Sequence, residues 1–462
     1  MSKTPLILFI VLAPIFFKCY KLLTYHPEIP DIPETWWSEG DPAGEDRNIY
    51  SFRINVSEKA LNDLKYRLDH TRQFTKPLLD NQAYGFNGDL AQEILEYWRT
   101  KYDWRKREQR LNEYPHFITS IQGLKIHFIH LKPQNISATT RTIPLLMSHG
   151  WPSSFVEYLD VISILTKPQK NRDFVFEVIL PSIPGFAFSD PPERPGFGAI
   201  EAALVFKNLM NRLGHHQFYV HGGDLGMMIT KVMATNFPDS VLGFHSNTCV
   251  SLHPFSLFKY LLGSVYPGWM KREKSREFLY PVSKLLRFLL MESGYLHSQS
   301  TKPDTYGIAV DDSPMGMAAQ FLEKFITGAS YHYRSRKDGG LKETYDYDTL
   351  FDNIMIYWIT KSGTTSYRFY SETFHGYKFT AVAWIPVQVP TACVRGPYDI
   401  TSPDGIIEEV FPNIVYAADH DIGHFFGFEK PKLLASELYE GIERIEQINL
   451  GKCRTTEERL DL

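Results

Sequence analysis

The chain is poor in cysteine: four residues, at positions 19, 249, 393 and 453, with no C-x-x-C pair among them. That scatter argues against a disulfide framework and a thiolate zinc site, leaving buried or idle thiols as the expectation. Charge of one sign is scarce too, since 49 Lys and Arg against 53 Asp and Glu leave a net charge of -4. No basic field therefore points to nucleic acid. Repeats and low-complexity stretches do not occur. Beyond one segment there are no long hydrophobic runs, which excludes a polytopic membrane protein. With 43% apolar and 22% charged residues, a disordered chain and a collagen-like fibre are excluded, and a sizeable core is expected. The 462 residues suggest about three folding units, or one large unit with additions.

The exceptional segment is the start. From Pro5 to Phe17 run 13 uncharged residues, rising about 20 Å as helix against a hydrocarbon slab of about 30 Å. Lys18 and Lys21 can snorkel, so that Tyr20, Leu22 and Leu23 lengthen the buried part. A cleaved signal peptide has an apolar region of this length, yet no small-x-small site follows. Residues 1–23 are therefore expected to form a retained anchor, and 24–47, rich in Pro, Asp, Glu and Gly, a linker. Positive charge on both sides leaves orientation open. The sequons Asn55-Val56-Ser57 and Asn135-Ile136-Ser137 matter only if the body faces a lumen.

Leu61, Leu64 and Leu68 share one helical face, with Ser57 as N-cap, and a second helix is expected from about Asp89 through Trp98. These helices fill a segment over 48–116, before any strand pattern. Phe117–Ile121 and Leu124–His130 flank Gln122-Gly123 as a hairpin. Buried runs follow at Ile143–Met147, Phe174–Leu180, Gln217–His221 and Val241–Val250, alternating with helical patterns such as Ala199–Leu213. That alternation predicts an α/β fold with a mostly parallel sheet covered on both faces. The rhythm stops over 253–379, where aromatic-rich helical patterns predict a lid inserted late in the sheet. It resumes with Val389–Val394, Ile414–Ala418 and a last helix from Pro431 to about Ile445. The core thus reads as two parts, 117–252 and 380–462.

No G-x-S-x-G occurs, but Gly222-Gly223-Asp224-Leu225-Gly226 sits between a strand and a helix, with small residues flanking an acid. A nucleophile elbow needs that setting, because the central side chain must stand exposed above the sheet. His149-Gly150-Trp151-Pro152 follows another strand, where a loop can aim N–H groups at developing charge. Arg395-Gly396-Pro397-Tyr398-Asp399 and Gly423-His424-Phe425 follow the last two strands. The chain order acid, acid, His is that of an α/β-hydrolase triad. His420 and His424 are spaced i, i+4 but lack the Glu of a zinc helix, so no metal is expected.

These motifs make the sequence similar to the microsomal-type epoxide hydrolases, and among them to the insect juvenile hormone epoxide hydrolases, over nearly the whole chain. The resemblance implies Asp224 as nucleophile, His424 as general base, Asp399 as charge-relay acid, and Trp151 with Leu225 as oxyanion-hole donors. Glu292-Ser293-Gly294-Tyr295 and Arg368-Phe369-Tyr370 resemble the lid segments whose tyrosines, here Tyr295 and Tyr370, donate to the epoxide oxygen. The stretch from Leu64 through Tyr102-Asp103-Trp104 is similar to the amino-terminal domain that wraps the lid. Two positions depart from the pattern: Leu225 stands where Trp is usual, and Ile422 where Gly is common. The implied activity is hydrolysis of apolar epoxides, juvenile hormone or xenobiotic, without cofactor or metal. The implied place is the endoplasmic reticulum membrane, held by one amino-terminal anchor with the body in the cytosol. A haloalkane dehalogenase and a silent lipid- or hormone-binding hydrolase fold are the rival readings.

Overall fold

Near-continuous apolar strand runs such as Phe174–Leu180, broken only by Glu177, demand cover on both faces, and the computed structural model supplies it. It describes residues 13–14, 16–18, 20–21, 24–25, 27–170, 172–266, 280–375, 382–399 and 401–451. The strands are β1 (Tyr50–Phe52), β2 (His116–Ile121), β3 (Leu124–Leu131), β4 (Arg141–Ser148), β5 (Phe174–Pro181), β6 (Phe218–Gly222), β7 (Val241–Ser246), β8 (Thr391–Arg395) and β9 (Ile414–Asp419). They form one nine-stranded sheet in the order β1-β2-β3-β5-β4-β6-β7-β8-β9. The first three strands and the β3/β5 pair are antiparallel. Every pairing from β5 onward is parallel. Gln122 and Gly123 both have positive φ, 54° and 86°, the turn whose twist suits a two-residue hairpin. β6 and β8 are buried at every residue.

The first helices are α1 (Glu58–Asp69), α2 (Gly88–Thr100) and α3 (Trp104–Leu111). Ser57 caps α1, accepting from the Ala60 N–H, and Leu64 and Leu68 are its buried residues. Two expectations are corrected in this region. β1 precedes the helices, pairing with β2, and three residues are too few to display an alternation. The charged α3 also lacks an apolar stripe, because it buries Arg107 and Glu108.

Around the sheet, α4 (Leu159–Leu165) packs on the last helix, and α5 (Ala199–Arg212) packs on α6 (Asp224–Asn236). Between β7 and β8 the chain forms α7 (Pro254–Gly263), α8 (Val282–Glu292), α9 (Gly294–Thr301), α10 (Pro303–Asp312), α11 (Pro314–Ala329), α12 (Tyr347–Thr360) and α13 (Ser362–His375). The last helix, α14, spans Pro431–Asn449. The amino-terminal helices grip α12: Arg107 Nη2 lies 2.6 Å from Asp352 Oδ2. The Tyr97 hydroxyl donates to Asp348 at 2.7 Å and that of Tyr102 to Asp352 at 2.9 Å.

Two further expectations change. The strand expected over Val241–Val250 ends at Ser246, and the residues after it leave the sheet to line a cavity. Cys249 and Cys393 are not idle thiols but a disulfide, their Cα atoms 6.0 Å apart across a sequence separation of 144. The whole helical insertion lies between β7 and β8, which are sheet neighbours, so spacing along the chain hides the pairing. Cys19, Cys453 and most of the expected anchor, residues 1–12 included, lie outside the described residues. No described helix is long and apolar enough to cross a membrane.

Candidate active site

β6 ends at Gly222, and Asp224 opens α6 with φ 51°. A non-glycine residue in the left-handed region stores about 1–3 kcal/mol of strain, which persists only where the surroundings over-determine it. The surroundings here are tight. A Cβ on Gly226 would lie 2.0 Å from the Ser148 carbonyl oxygen, and one on Gly150 would lie 2.5 Å from the Asp224 Cβ. Glycine at both positions lets the loop after β4 close on the elbow. As a result the Trp151 N–H donates to Asp224 Oδ1 at 2.9 Å. Leu225 is buried in the first turn of α6.

The His424 ring closes the other side. Its Nδ1 meets Asp399 Oδ1 at 2.8 Å, and its Nε2 lies 3.5 Å from Asp224 Oδ2. Burial alone would lower the imidazole pKa, but the Asp399 and Asp224 carboxylates outweigh it and raise it well above the usual value. Thr248 links the two acids: its Oγ1 accepts from the Asp224 N–H at 3.2 Å and donates to Asp399 Oδ2 at 3.0 Å. The histidine loop is pinned from three directions. The His424 N–H donates to the Gly328 carbonyl at 2.8 Å, and Asn247 Nδ2 donates to the His424 carbonyl at 3.4 Å. Glu429 accepts from the N–H groups of Gly423 and Phe425 at 2.7 and 3.1 Å. Ile422, in place of the usual glycine, is buried, and His424 still reaches both acids.

Above Asp224 lies a cavity of about 290 Å³ with an apolar wall that includes Leu252, Phe288, Leu289, Leu296 and Phe374. Tyr295 stacks on Trp151 at 5.2 Å between ring centroids, and Tyr370 meets the same indole edge-on at 5.8 Å. Burial, reinforced by the Asp224 carboxylate, pushes both phenols up, so they are proton donors throughout the neutral range. The Tyr370 hydroxyl is buried with no hydrogen-bond partner among the described residues. Tyr331 and Tyr398 also line the cavity.

Beside Asp224 is a second, smaller space of about 10 Å³, walled by Ser153, Glu157, Asp224 and His424 among others. That is about the room one water molecule needs. Burial pushes the Glu157 carboxyl up to about 7, against the pull of the Ser153 hydroxyl that donates to it. Burial raises Glu429 to about 7 as well, against its two N–H donors. Sequence reasoning missed Thr248, Glu157, Glu429 and Tyr331. One group among the described residues has the makings of a metal site: His130 and His215, whose Nε2 atoms lie 2.6 and 3.4 Å from Glu177 Oε1. Lys132 Nζ meets that same oxygen at 3.5 Å. None of these residues lines the cavity.

A mostly parallel sheet with a carboxylate at its elbow and a His–Asp pair after its last strands defines an α/β hydrolase. Family profiles agree: "Epoxide hydrolase N terminus" matches residues 49–158 and "alpha/beta hydrolase fold" residues 143–387. Juvenile hormone epoxide hydrolase 1 of Ctenocephalides felis is 42% identical over 97% of either chain. Epoxide hydrolase 1 of Sus scrofa is 41% identical over 89% of this chain and 93% of its own. The crystal structure of juvenile hormone epoxide hydrolase from the silkworm Bombyx mori has a TM-score of 0.87 and 41% identity. It covers 90% of this chain and 99% of that one. The chain belongs to the epoxide hydrolase family, and it is an enzyme that hydrolyses epoxides.

Proposed function

We propose that the enzyme opens apolar epoxides to vicinal diols in two steps, through an ester on Asp224. The observation that carries this is the Tyr370 hydroxyl, buried without a hydrogen-bond partner among the described residues, beside Tyr295 in an apolar cavity above the carboxylate. Asp224 Oδ2 attacks an epoxide carbon, the C–O bond breaks, and a phenol proton passes to the oxygen that leaves. Attack at an sp³ carbon by serine would leave an inert ether, whereas aspartate forms an ester that water can cleave. Water then loses a proton to His424 Nε2 and adds to the Asp224 carbonyl carbon. Charge develops on Oδ1, where the Trp151 N–H, joined by that of Leu225, receives it. The acyl C–O bond of the ester then breaks, and the departing oxygen takes the proton from His424. The new carboxyl gives its own proton to the ring as the diol leaves and the Asp224 carboxylate is restored.

The pKa of His424 favours this order. In the free enzyme both acids hold the ring protonated. Alkylation removes the charge of Asp224, the imidazole pKa falls, the ring's proton returns to the phenolate by way of solvent, and the base becomes available when water needs it. Single turnover in heavy-oxygen water tests the scheme: label must enter Asp224 before it reaches product diol. Label appearing first in the diol would rule out the ester. A dehalogenase has no need of phenols, so tolerance of Tyr295→Phe with Tyr370→Phe would favour that rival.

Juvenile hormone or xenobiotic epoxides are the substrate classes we infer. Relatives named for juvenile hormone and the apolar cavity wall support the first, and relatives named only as epoxide hydrolase 1 the second. We also infer attachment to the endoplasmic reticulum membrane through residues 1–23, with the body in the cytosol. The apolar run Pro5–Phe17 and substrates that partition into lipid support it. Thiol alkylation and glycosidase treatment of the expressed protein test the orientation. A cytosolic body leaves Asn55 and Asn135 bare, while the Cys249–Cys393 disulfide weighs toward an oxidising compartment, where stable disulfides belong. Finding that pair reduced in the cell is the outcome that keeps the body cytosolic. Glycans on the exposed Asn55 or Asn135 would reverse the assignment.

A further inference from the structure

We propose that the outer face of α7 and α8 rests on a lipid bilayer, so that substrate enters the cavity from the membrane and not from water. The inference builds on the membrane attachment proposed for residues 1–23.

The two helices are amphipathic the wrong way round for a water-facing surface. In α7 the buried residues are Ser256 and Gly263, while Leu257 and Leu261 are 52% and 59% exposed. Val265, just past its end, is 85% exposed. α8 has no buried residue although nearly half of it is leucine or phenylalanine. Its Leu286 and Leu290 are 60% and 80% exposed. Tyr260 of α7 packs with Tyr280 and with Val282 and Leu285 of α8 around Ile406. These exposed apolar residues therefore sit on adjoining helices, and an exposed apolar surface of this kind marks a binding surface. The charges suit lipid as its occupant. Lys259, the single charge of α7, is drawn away to Glu409 and the Gly405 carbonyl. Along α8 the charges before Glu292 are Lys284 and Arg287, both of the sign that anionic headgroups attract.

Position argues for the same occupant. The Tyr25 carbonyl lies 3.4 Å from Nε2 of His253, the residue that caps α7. The chain leaving the apolar amino-terminal run therefore meets the first turn of the apolar face. An anchor ending there holds that face at the bilayer it enters. The cavity adjoins α8, since Phe288 and Leu289 form part of its wall while Leu286 and Leu290 of the same helix are exposed. A substrate dissolved in acyl chains would pass along α8 without crossing bulk water.

The test uses the full chain with Cys19→Ser and Cys453→Ser, carrying a polarity-sensitive fluorophore on a single introduced cysteine. The positions are Leu261→Cys and Leu290→Cys on the face, Ile10→Cys in the apolar run, and Tyr66→Cys on α1 as an exposed control. Vesicles of phosphatidylcholine with a minor share of phosphatidylserine carry a spin label on their acyl chains. The expected result is several-fold quenching at 10, 261 and 290, with little at 66. Quenching at 10 without quenching at 261 and 290 overturns the docking and leaves the attachment standing. No quenching at 10, 261 or 290 overturns both. A shift at 261 or 290 that appears without lipid and fades on dilution assigns the face to a second copy of the chain, and overturns the proposal. As a second readout, Leu261→Glu with Leu290→Glu should raise KM several-fold for a vesicle-borne epoxide and leave KM for a water-soluble one unchanged. Equal effects on both substrates would also refute it.

Discussion

Replacing Tyr370 by phenylalanine should push stability and activity in opposite directions. The hydroxyl is buried with no partner among the described residues, and an unsatisfied buried group of this kind costs about 1–3 kcal/mol. Tyr370→Phe removes the group and keeps the ring that packs edge-on against Trp151 and, at 6.2 Å, against Tyr295. The variant should therefore be at least as stable as the parent, with Tm higher by about 1 °C in a chain of this size. Catalysis loses a donor to the oxygen that becomes an alkoxide. A hydrogen bond to a charged group is worth about 1.5–3 kcal/mol, which slows ring opening by about 10- to 150-fold. Tyr295 keeps the residual rate, so the double variant should fall further, by a factor near the square of that range if the two donors act independently. The second half-reaction does not use the phenols, and ester hydrolysis should keep its rate. Quench-flow sampling with mass analysis of the Asp224 peptide separates the two steps, and scanning calorimetry reads Tm. A Tm that drops by several degrees would mean the hydroxyl is structural. Slow ester hydrolysis with normal ester formation would refute its placement at the epoxide oxygen.

Two further perturbations probe the supports of the site. Asp399 raises the His424 pKa, so Asp399→Asn should lower it. The alkaline rise of single-turnover ester hydrolysis then moves to lower pH, while its plateau falls because the ring is held less well. A rise moved to higher pH would contradict the pairing. Glu429→Ala orphans the N–H groups of Gly423 and Phe425, each worth about 1–3 kcal/mol when buried and unpaired. We expect a clear loss of stability in urea titration together with slowed ester hydrolysis. Unchanged hydrolysis would show that the histidine loop holds its place without the carboxylate.

How legible these features are in the sequence follows from how local their causes are. β5 and β6 are buried almost throughout because helices cover both faces, and that state writes itself as the apolar runs Phe174–Phe176, Val178–Leu180 and Phe218–Val220. The cap at Ser57 and the positive-φ turn at Gln122-Gly123 depend on neighbours a few residues away, and both can be read directly. β1 cannot, since its residues Tyr50 and Ser51 are exposed and its pairing with β2 spans more than sixty positions, as Tyr50 opposite Ile118 shows. α3 hides for a different reason. Its inward residue Arg107 is charged, and burial becomes tolerable only through Asp352, 245 residues on. The Cys249–Cys393 pair is silent for the same cause, being joined only once β7 and β8 lie side by side.

The candidate site divides along the same line. Asp224 and His424 stand beside glycines in turns after strands, because a side chain presented from a tight turn needs small neighbours, and that need leaves a pattern; Asp399 is legible from its place after β8. Thr248, Glu157 and Glu429 act through tertiary contacts and leave none. Glu429 does carry a faint signal, an acid directly after the apolar stretch Phe425–Phe428, as Glu157 does between Val156 and Tyr158. A buried acid amid apolar residues must be paired or neutral, so such positions deserve a search for what they hold. The consequence for relatives is specific. A chain could keep the five proposed reacting side chains and still lose ester hydrolysis, if the acid at position 429 no longer fixes the loop that carries the histidine.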